Sequence, residues 1–419
     1  MDLVHAGRGP RTAVVVGAGV VGLSTAWFLQ QHGLEVTVVD RREVAAGASW
    51  GNAGWLSPAL AIPLNEPSVV RYGLRALFDR DAPLHIPATL DMGRWRFLTR
   101  FAANCTWRTW ERAMRANLPL NTSCLDAFDE LVAGGVDATT TSAPVTAVFT
   151  TAAHTARLRR ELDRMQAAGQ PLRYSELAAG EVRDAVKQAS RGIGAGVRID
   201  GQRYVDPGEF ATALGKSVGD RGASIRTGFD VVETVRRRHR LAVRSNDGES
   251  VKADVVVLAT GAWLGRLGRR SGVRVPVRAG RGYSFTVPTD EPVSGPIYLP
   301  DVRVACTPYR GALRVAGTME FRGPDDPLDA ARIDAIVASV RPFLDGVRWD
   351  ERTDEWGGPR PVTHDGRPLI GAAHPPGLYV AAGHGMWGLT QGPVTGRLLA
   401  EQITSGTRPA ALHDCDPLR

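Results

Sequence analysis

A chain of 419 residues with 43% hydrophobic and 23% charged residues has the composition of a folded globular protein, and the length for two intertwined domains rather than one small core. The formal net charge of +7 comes with no long basic tract, so nucleic acid is excluded as the expected partner; the one cluster, Arg236-Arg237-Arg238-His239-Arg240, lies between two strand-like runs and reads as a solvated hairpin turn. Cys105, Cys124, Cys306 and Cys415 show neither CxxC nor metal-ligand spacing, so no metal is expected, and they fit reduced thiols of a cytosolic protein.

Residues 1–10 read as a short disordered leader. Residues 12–29 carry no charge, but the glycines among them argue against a continuous membrane helix, and no signal-peptide cleavage pattern follows. They read instead as a buried strand (13–16), a GxGxxG turn and a helix, followed by a second strand (35–39) that ends in Asp40. Gly17 permits the tight turn, Gly19 lets backbone approach a pyrophosphate, and Gly22 lets the helix pack close to the sheet. The helix start at Val20-Val21 offers unpaired N–H groups and a positive dipole end to phosphates. Asp40, beside Arg41, lies 18 residues past Gly22, the spacing at which a carboxylate accepts from two ribose hydroxyls. Gly33 marks the helix end. These features point to an adenine-dinucleotide site.

The next segment, Ala46-Gly47-Ala48-Ser49-Trp50-Gly51-Asn52-Ala53-Gly54-Trp55, is rich in small residues that would let the chain run along a pyrophosphate and a flat ring. Residues 89–130 read as amphipathic helix whose aromatic residues, Trp95, Phe97, Phe101, Trp107, Trp110 and Phe128, belong to a core. The Ala/Gly/Thr-rich stretch 133–147 reads as a connection. Val231-Val232 begin or end a strand able to offer backbone bonds to an adenine. The run 255–259 reads as a third parallel strand leading into Ala259-Thr260-Gly261, a further close approach to the dinucleotide, and 378–382 as a fourth. Residues 283–287 and 313–317 alternate as strands of an antiparallel sheet. In Trp356-Gly357-Gly358-Pro359-Arg360-Pro361-Val362-Thr363-His364-Asp365-Gly366, an arginine flanked by prolines in a glycine-rich loop is set to meet an anion. Gly383-His384-Gly385-Met386-Trp387-Gly388-Leu389-Thr390 precede a helix (394–403). A second helix start of this kind suits the pyrimidine edge of a flavin, where negative charge gathers on reduction, and a nicotinamide site has no need of it.

Taken together, these segments resemble the D-amino-acid oxidase and glycine oxidase group of FAD oxidoreductases, and within it the bacterial D-amino-acid dehydrogenases. Asn52-Ala53-Gly54 with Ser57-Pro58, Gly282-Tyr283-Ser284 with Thr286-Val287-Pro288, Arg360-Pro361 with Thr363 and Asp365-Gly366, and Gly383-His384-Gly385 carry the likeness over essentially the whole chain. The resemblance implies an α/β fold: a Rossmann-type FAD-binding domain with a parallel sheet (10–57, 196–264 and 352–407) interleaved with an α+β substrate domain on an antiparallel sheet (58–195 and 265–351). It places Ser49, Asn52, Ala53, Gly54, Gly385, Met386, Trp387, Gly388, Leu389 and Thr390 near the flavin, and pairs Arg360 with a substrate carboxylate. Tyr283, Tyr309 and His384 are candidates for orienting the substrate. Some members attach flavin to a cysteine in the loop corresponding to 357–366; this chain has none there, so non-covalent FAD is expected. Arg281 stands for the dehydrogenases' lysine, and Met386-Trp387 for a smaller pair.

The implied reaction is oxidative deamination of a D-amino acid at Cα, by hydride transfer to flavin N5, giving a 2-oxo acid and ammonia. No cation apart from Arg360 is evident in the flavin loops, so electrons are expected to pass to a quinone or dye rather than to oxygen. The net charge is compatible with peripheral contact at the inner face of the plasma membrane. Alternatives are an oxidase of glycine, sarcosine or cyclic secondary amino acids such as D-proline, an NAD-dependent dehydrogenase, and a non-enzymatic dinucleotide-binding sensor.

Overall fold

The computed structural model describes residues 9–70, 84–86, 91–237 and 240–419. The leader of residues 1–10 therefore lies almost wholly outside the described residues, as does the tip of the basic hairpin at 238–239.

Strand β1 (Thr12–Val16), helix α1 (Val20–Gln31) and strand β2 (Glu35–Val39) form the expected unit. Ala13 and Val15 pack into one core and Val14 and Val16 into another, because successive strand side chains point to opposite faces. Both faces are apolar, so β1 is a central strand. It pairs in parallel with β2 on one side and with Val255–Leu258 on the other. The complete six-stranded sheet runs Ser224–Arg226, β2, β1, Val255–Leu258, Leu378–Ala382, Leu369–Ala372, with only the last strand antiparallel. One face is covered by α1, by Pro207–Asp220 and by Gly388–Ser405, and the long helix Trp107–Ala133 packs into the same core. A three-stranded antiparallel sheet, 231–237, 240–245 and 250–253, packs into the core of the other face. The pairing of Arg237 with Arg240 brackets the basic cluster as a hairpin.

A second, nine-stranded and largely antiparallel sheet is led by Thr353–Thr363, Val277–Val287 and Ala312–Phe321. It continues through Val304–Tyr309, Ile297–Leu299, Val145–Phe149, Ala195–Asp200 and Arg173–Ala178, and the short strand Leu84–His85, paired in parallel with Ala312–Phe321, is the ninth. The strand pattern at 283–287 and 313–317 is thus part of two much longer strands.

Three expectations need correction. The stretch 133–147 is not merely a connection: Val145–Phe149 is a fully buried strand whose alternation is masked by alanine and threonine. The aromatic region 89–130 is broken at Cys105-Thr106, where Thr106 caps the second helix by accepting from Thr109 N. Phe97, Phe101, Trp110 and Phe128 are core as expected, but Trp95 and Trp107 are exposed. Finally, Arg360 lies on a strand and not in a loop. Its flanking prolines are tolerated because Thr353–Thr363 is the edge of its sheet, where a missing N–H leaves no ladder bond unmade. No helix among the described residues is long and apolar enough to cross a membrane.

Candidate active site

The cleft between the two large sheets is lined at one end by Asp40, Arg41, Arg42, Phe229 and Val231, and midway by the Gly17–Val21 turn, Ala46–Ser49 and Ala259–Trp263. At the other end lie Asn52, Pro359–Pro361, His384, Gly385, Met386, Gly388 and Leu389. Sequence-predicted positions far apart in the chain therefore converge on one surface. Of the Val231-Val232 pair, Val231 lines the cleft, and the Val232 carbonyl accepts from Arg266 at 3.4 Å.

The turn after β1 fits a dinucleotide phosphate. Gly17 has φ +115°, and a Cβ there would sit 2.4 Å from Ala259 O; a Cβ on Gly22 would sit 1.9 Å from Gly17 O. Neither position admits a side chain, so backbone alone forms the cradle. α1 has no side-chain cap at Gly19, and the Val20 N–H is met by Ser49 Oγ at 3.1 Å. Asp40 accepts from Ala18 N (2.7 Å) and Arg42 N (2.8 Å). Burial raises its pKa against these bonds. Among the described residues the buried Thr260 hydroxyl has no partner, as expected of a group waiting for a ligand.

Residues 51–55 run past the far end, where Asn52 lines the cleft, and each of their carbonyls is held by a different element. Gly51 O accepts from Ser284 Oγ (2.8 Å), Asn52 O from Arg314 Nε (3.2 Å), and Ala53 O from Thr307 Oγ1 (2.6 Å). Gly54 O accepts from Val205 N (2.9 Å), and Trp55 O from Thr390 Oγ1 (3.0 Å). The first three donors stand on adjacent strands of the antiparallel sheet. Gly54 has φ +81° and no room for a Cβ, which explains the Ala53-Gly54 pair. Arg314 corrects the expectation that no cation other than Arg360 lies by the flavin loops. It gave no local sequence signal, being one arginine in an alternating strand, and only the cross-strand register brings it to Asn52.

Arg360 pairs in register with Gly280, next to the Gly358–Gly282 pair. Its guanidinium lies over Gly282, where a Cβ would come within 2.0 Å of it, so the glycine before Tyr283 is a seat for Arg360. Arg360 donates to Thr318 O at 2.6 Å, and among the described residues no carboxylate pairs with it. Burial lowers its pKa to about 10, which still leaves it charged at neutral pH.

Tyr283 is not brought to this face. Strand alternation turns it away from Gly282 and Ser284 into the core with Phe285, Ile333 and Ile336, where its hydroxyl meets Glu320 at 2.5 Å. Burial and that bond raise its pKa to about 12. It is a core residue and not a substrate-orienting one. Tyr309 is buried with a hydroxyl that has no partner among the described residues, its ring beside Arg314. His384 lines the cleft with Nε2 2.9 Å from Thr395 Oγ1; burial lowers its pKa to about 4, so it is neutral at pH 7. Gly385 N donates to Pro361 O, tying the two glycine-rich segments together next to Arg360. Gly388, Leu389 and Thr390 open the last long helix, and Met386 faces the cleft, whereas Trp387 turns away to donate to Ile62 O.

The turn that follows Arg360 is anchored by Asp365, which accepts from Arg367 Nε (3.1 Å) and, through both oxygens, from Arg419 (2.9 and 3.0 Å). Burial disfavours its charge, but the hydrogen bond to Arg419 and the two arginine charges win and hold its pKa at about 2, below the usual 3.8. A carboxylate depressed in this way stabilises the fold fully above its unfolded pKa and loses that contribution as pH falls toward 2. Urea unfolding at about pH 6 should therefore find Asp365→Asn weaker than the parent by about 2 kcal/mol. The gap should close as both proteins are taken toward pH 2, and a gap that is constant with pH would contradict the charged pairing.

The family model described as DAO, FAD dependent oxidoreductase, matches residues 12–402. The D-amino acid dehydrogenase of Agrobacterium fabrum is 30% identical over 409 residues, covering 96% of this chain and 97% of that protein. That of Rhizorhabdus wittichii is 30% identical over 407 residues, with 95% and 97% covered. The crystal structure of glycine oxidase from Geobacillus kaustophilus superposes with a TM-score of 0.74 at 22% identity, covering 98% and 99% of the two chains, a likeness of fold.

Proposed function

The chain belongs to the DAO family of FAD dependent oxidoreductases, and from that premise we propose that it oxidises D-amino acids to 2-oxo acids and ammonia, passing the electrons to a quinone-like acceptor. The observation that carries the reading is Arg360: a guanidinium in the cleft wall, with no carboxylate partner among the described residues, held by Thr318 O and seated on Gly282. Such a group is made to receive a carboxylate from outside, and a bidentate pair fixes orientation as well as charge. The whole-length relatives named D-amino acid dehydrogenase support the choice of substrate class.

FAD fits the glycine cradle, Asp40, Thr260 and Asn52, and when bound it supplies the two-electron acceptor for the Cα–H bond. The protein's own work is positional. Arg360 clamps the carboxylate and so fixes Cα relative to the cleft floor; holding reactants in this way accounts for much of the acceleration available to such a reaction. His384 is neutral and committed to Thr395, so it adds no cation against the substrate amine. No His–carboxylate pair faces Arg360 across the cleft among the described residues. The amine is therefore taken as its neutral form, and its lone pair makes the imine.

The decisive test is anaerobic. The purified yellow protein is mixed with D- and L-amino acids, glycine, sarcosine and D-proline, and the visible flavin band is followed. Bleaching by D-amino acids well ahead of the rest is the expected result. Preference for glycine or sarcosine would favour an oxidase of small amines, and no bleaching by any of them would favour a sensor. Acid precipitation should leave the colour in the supernatant, since no cysteine lies in 357–366 to tether the flavin. Re-mixing substrate-reduced enzyme with air should restore colour slowly, and with dichlorophenolindophenol or a quinone fast. Equal rates with stoichiometric peroxide would make the protein an oxidase.

A further inference from the structure

Arg314 is fully buried, at 0% exposure, and the carboxylates that act on it, Asp354 and Asp206, do so from beyond ion-pair distance. Its three hydrogen bonds go to neutral oxygens: Asn52 O (3.2 Å), Ser284 Oγ (2.9 Å) and Thr286 Oγ1 (3.4 Å). No carboxylate among the described residues lies within ion-pair distance. The rings of Trp50 and Tyr309 stand 5.5 and 5.0 Å from its guanidinium carbon and offset part of the cost of burial. They do not remove the charge. A methionine or leucine would fill the same space without desolvating a cation, so burying one here demands a return.

That return lies on the other side of the loop. Asn52 lines the cleft, and Arg314 grips its carbonyl from behind. In a planar trans peptide the N–H of Ala53 points opposite to that carbonyl, away from Arg314. Among the described residues it meets no acceptor. The Asn52–Ala53 peptide is thus a polarised bridge with a fixed cation at one end and a free donor at the other. Ser284 relays a second contact, accepting from Arg314 and donating to Gly51 O.

We propose that Arg314 is the fixed countercharge of the flavin site: it sets the orientation of the Asn52–Ala53 peptide and favours the negative charge that the isoalloxazine carries once reduced. This rests on the chain's FAD chemistry and not on which amine it oxidises. A cation placed one peptide behind the cleft wall, where water cannot screen it, acts by preorganisation without touching the ring. Arg314 is accordingly a positioning residue.

The test reads the flavin directly and needs no amino-acid substrate, so its failure is separate from failure of the D-amino-acid reading. Sulfite adds to oxidised flavin at N5 through a new N–S bond and leaves the ring anionic, so its affinity reports stabilisation of negative charge. On the FAD-loaded protein, Arg314→Met should weaken sulfite binding about tenfold and lower the two-electron midpoint potential by about 30 mV, the same factor in other units. Arg314→Lys keeps the charge and should stay within about twofold of the parent in sulfite affinity, as should Ser284→Ala, which loosens the loop without removing charge. Arg314→Met with full FAD and parental sulfite affinity overturns the proposal, and so does Arg314→Lys behaving like Arg314→Met, since the hydrogen-bonding fork would then matter and not the charge. If Arg314→Met cannot hold FAD, Arg314→Gln is judged by the same numbers. If neither neutral variant holds it, Arg314→Lys with parental sulfite affinity upholds the countercharge, and loss of FAD from Arg314→Lys as well refutes it.

Discussion

Replacing Arg360 with alanine should leave a folded, FAD-loaded protein that scarcely binds its substrate. Truncating one partner of a desolvated charge pair costs about 2–5 kcal/mol, roughly 30- to 5,000-fold in kcat/KM. Arg360→Lys should also fail, because a single ammonium cannot reproduce the fork that Thr318 O now orients. Gly282→Ala supplies an independent handle. The new Cβ would come within 2.0 Å of the guanidinium and must displace it, so most of the loss should recur with every charge still present. Turnover kinetics on the three variants, alongside their flavin content, decide the matter. A folded Arg360→Ala enzyme that oxidises a D-amino acid at nearly parental rates would remove Arg360 from the site.

Gly17→Ala should abolish tight FAD binding. The position combines φ +115° with a Cβ only 2.4 Å from the carbonyl oxygen of Ala259, and the neighbour is backbone in a central strand end that cannot swing aside. A strained position of this kind costs about 1–3 kcal/mol, roughly fivefold to more than a hundredfold in affinity, before any displacement of the phosphate-facing N–H groups is counted. Gly22→Ala meets Gly17 O at 1.9 Å and should act in the same direction by pushing α1 off the sheet. The flavin-to-protein absorbance ratio after gel filtration measures both. A variant that emerges yellow with one FAD per chain would show that the turn yields more easily than its packing implies.

The parts of this site that could be read from sequence are those whose reason is local. The β1–turn–α1 unit declares itself because strand, glycine turn, helix and terminal carboxylate follow one another within 29 residues, each with its own chemistry. Arg360 was legible as a residue type in an unusual setting, but its strand was hidden by the glycines and prolines that an edge position permits. The face of Tyr283 was in principle available, since it alternates with Gly282 and Ser284, yet which face meets the cleft depends on register with Gly317 and Gly357, far along the chain. Arg314 is the extreme case. Nothing in Leu313-Arg314-Val315 distinguishes it from a surface arginine, and its role exists only because three strands carry Ser284, Arg314 and Thr307 to successive carbonyls of one loop.

The order of strands in the six-stranded sheet also bears on how the protein is made. Strand β1 leaves the ribosome early, but its second neighbour, Val255–Leu258, follows about 240 residues later, and Leu378–Ala382 later still. At about 5–20 residues per second, β1 spends roughly 12–50 s with one edge unpaired and Val14 and Val16 uncovered. The nascent chain is therefore exposed to mispairing in proportion to translation time, and slowing elongation between codons 40 and 255 should lower the yield of native protein unless a holding chaperone is supplied.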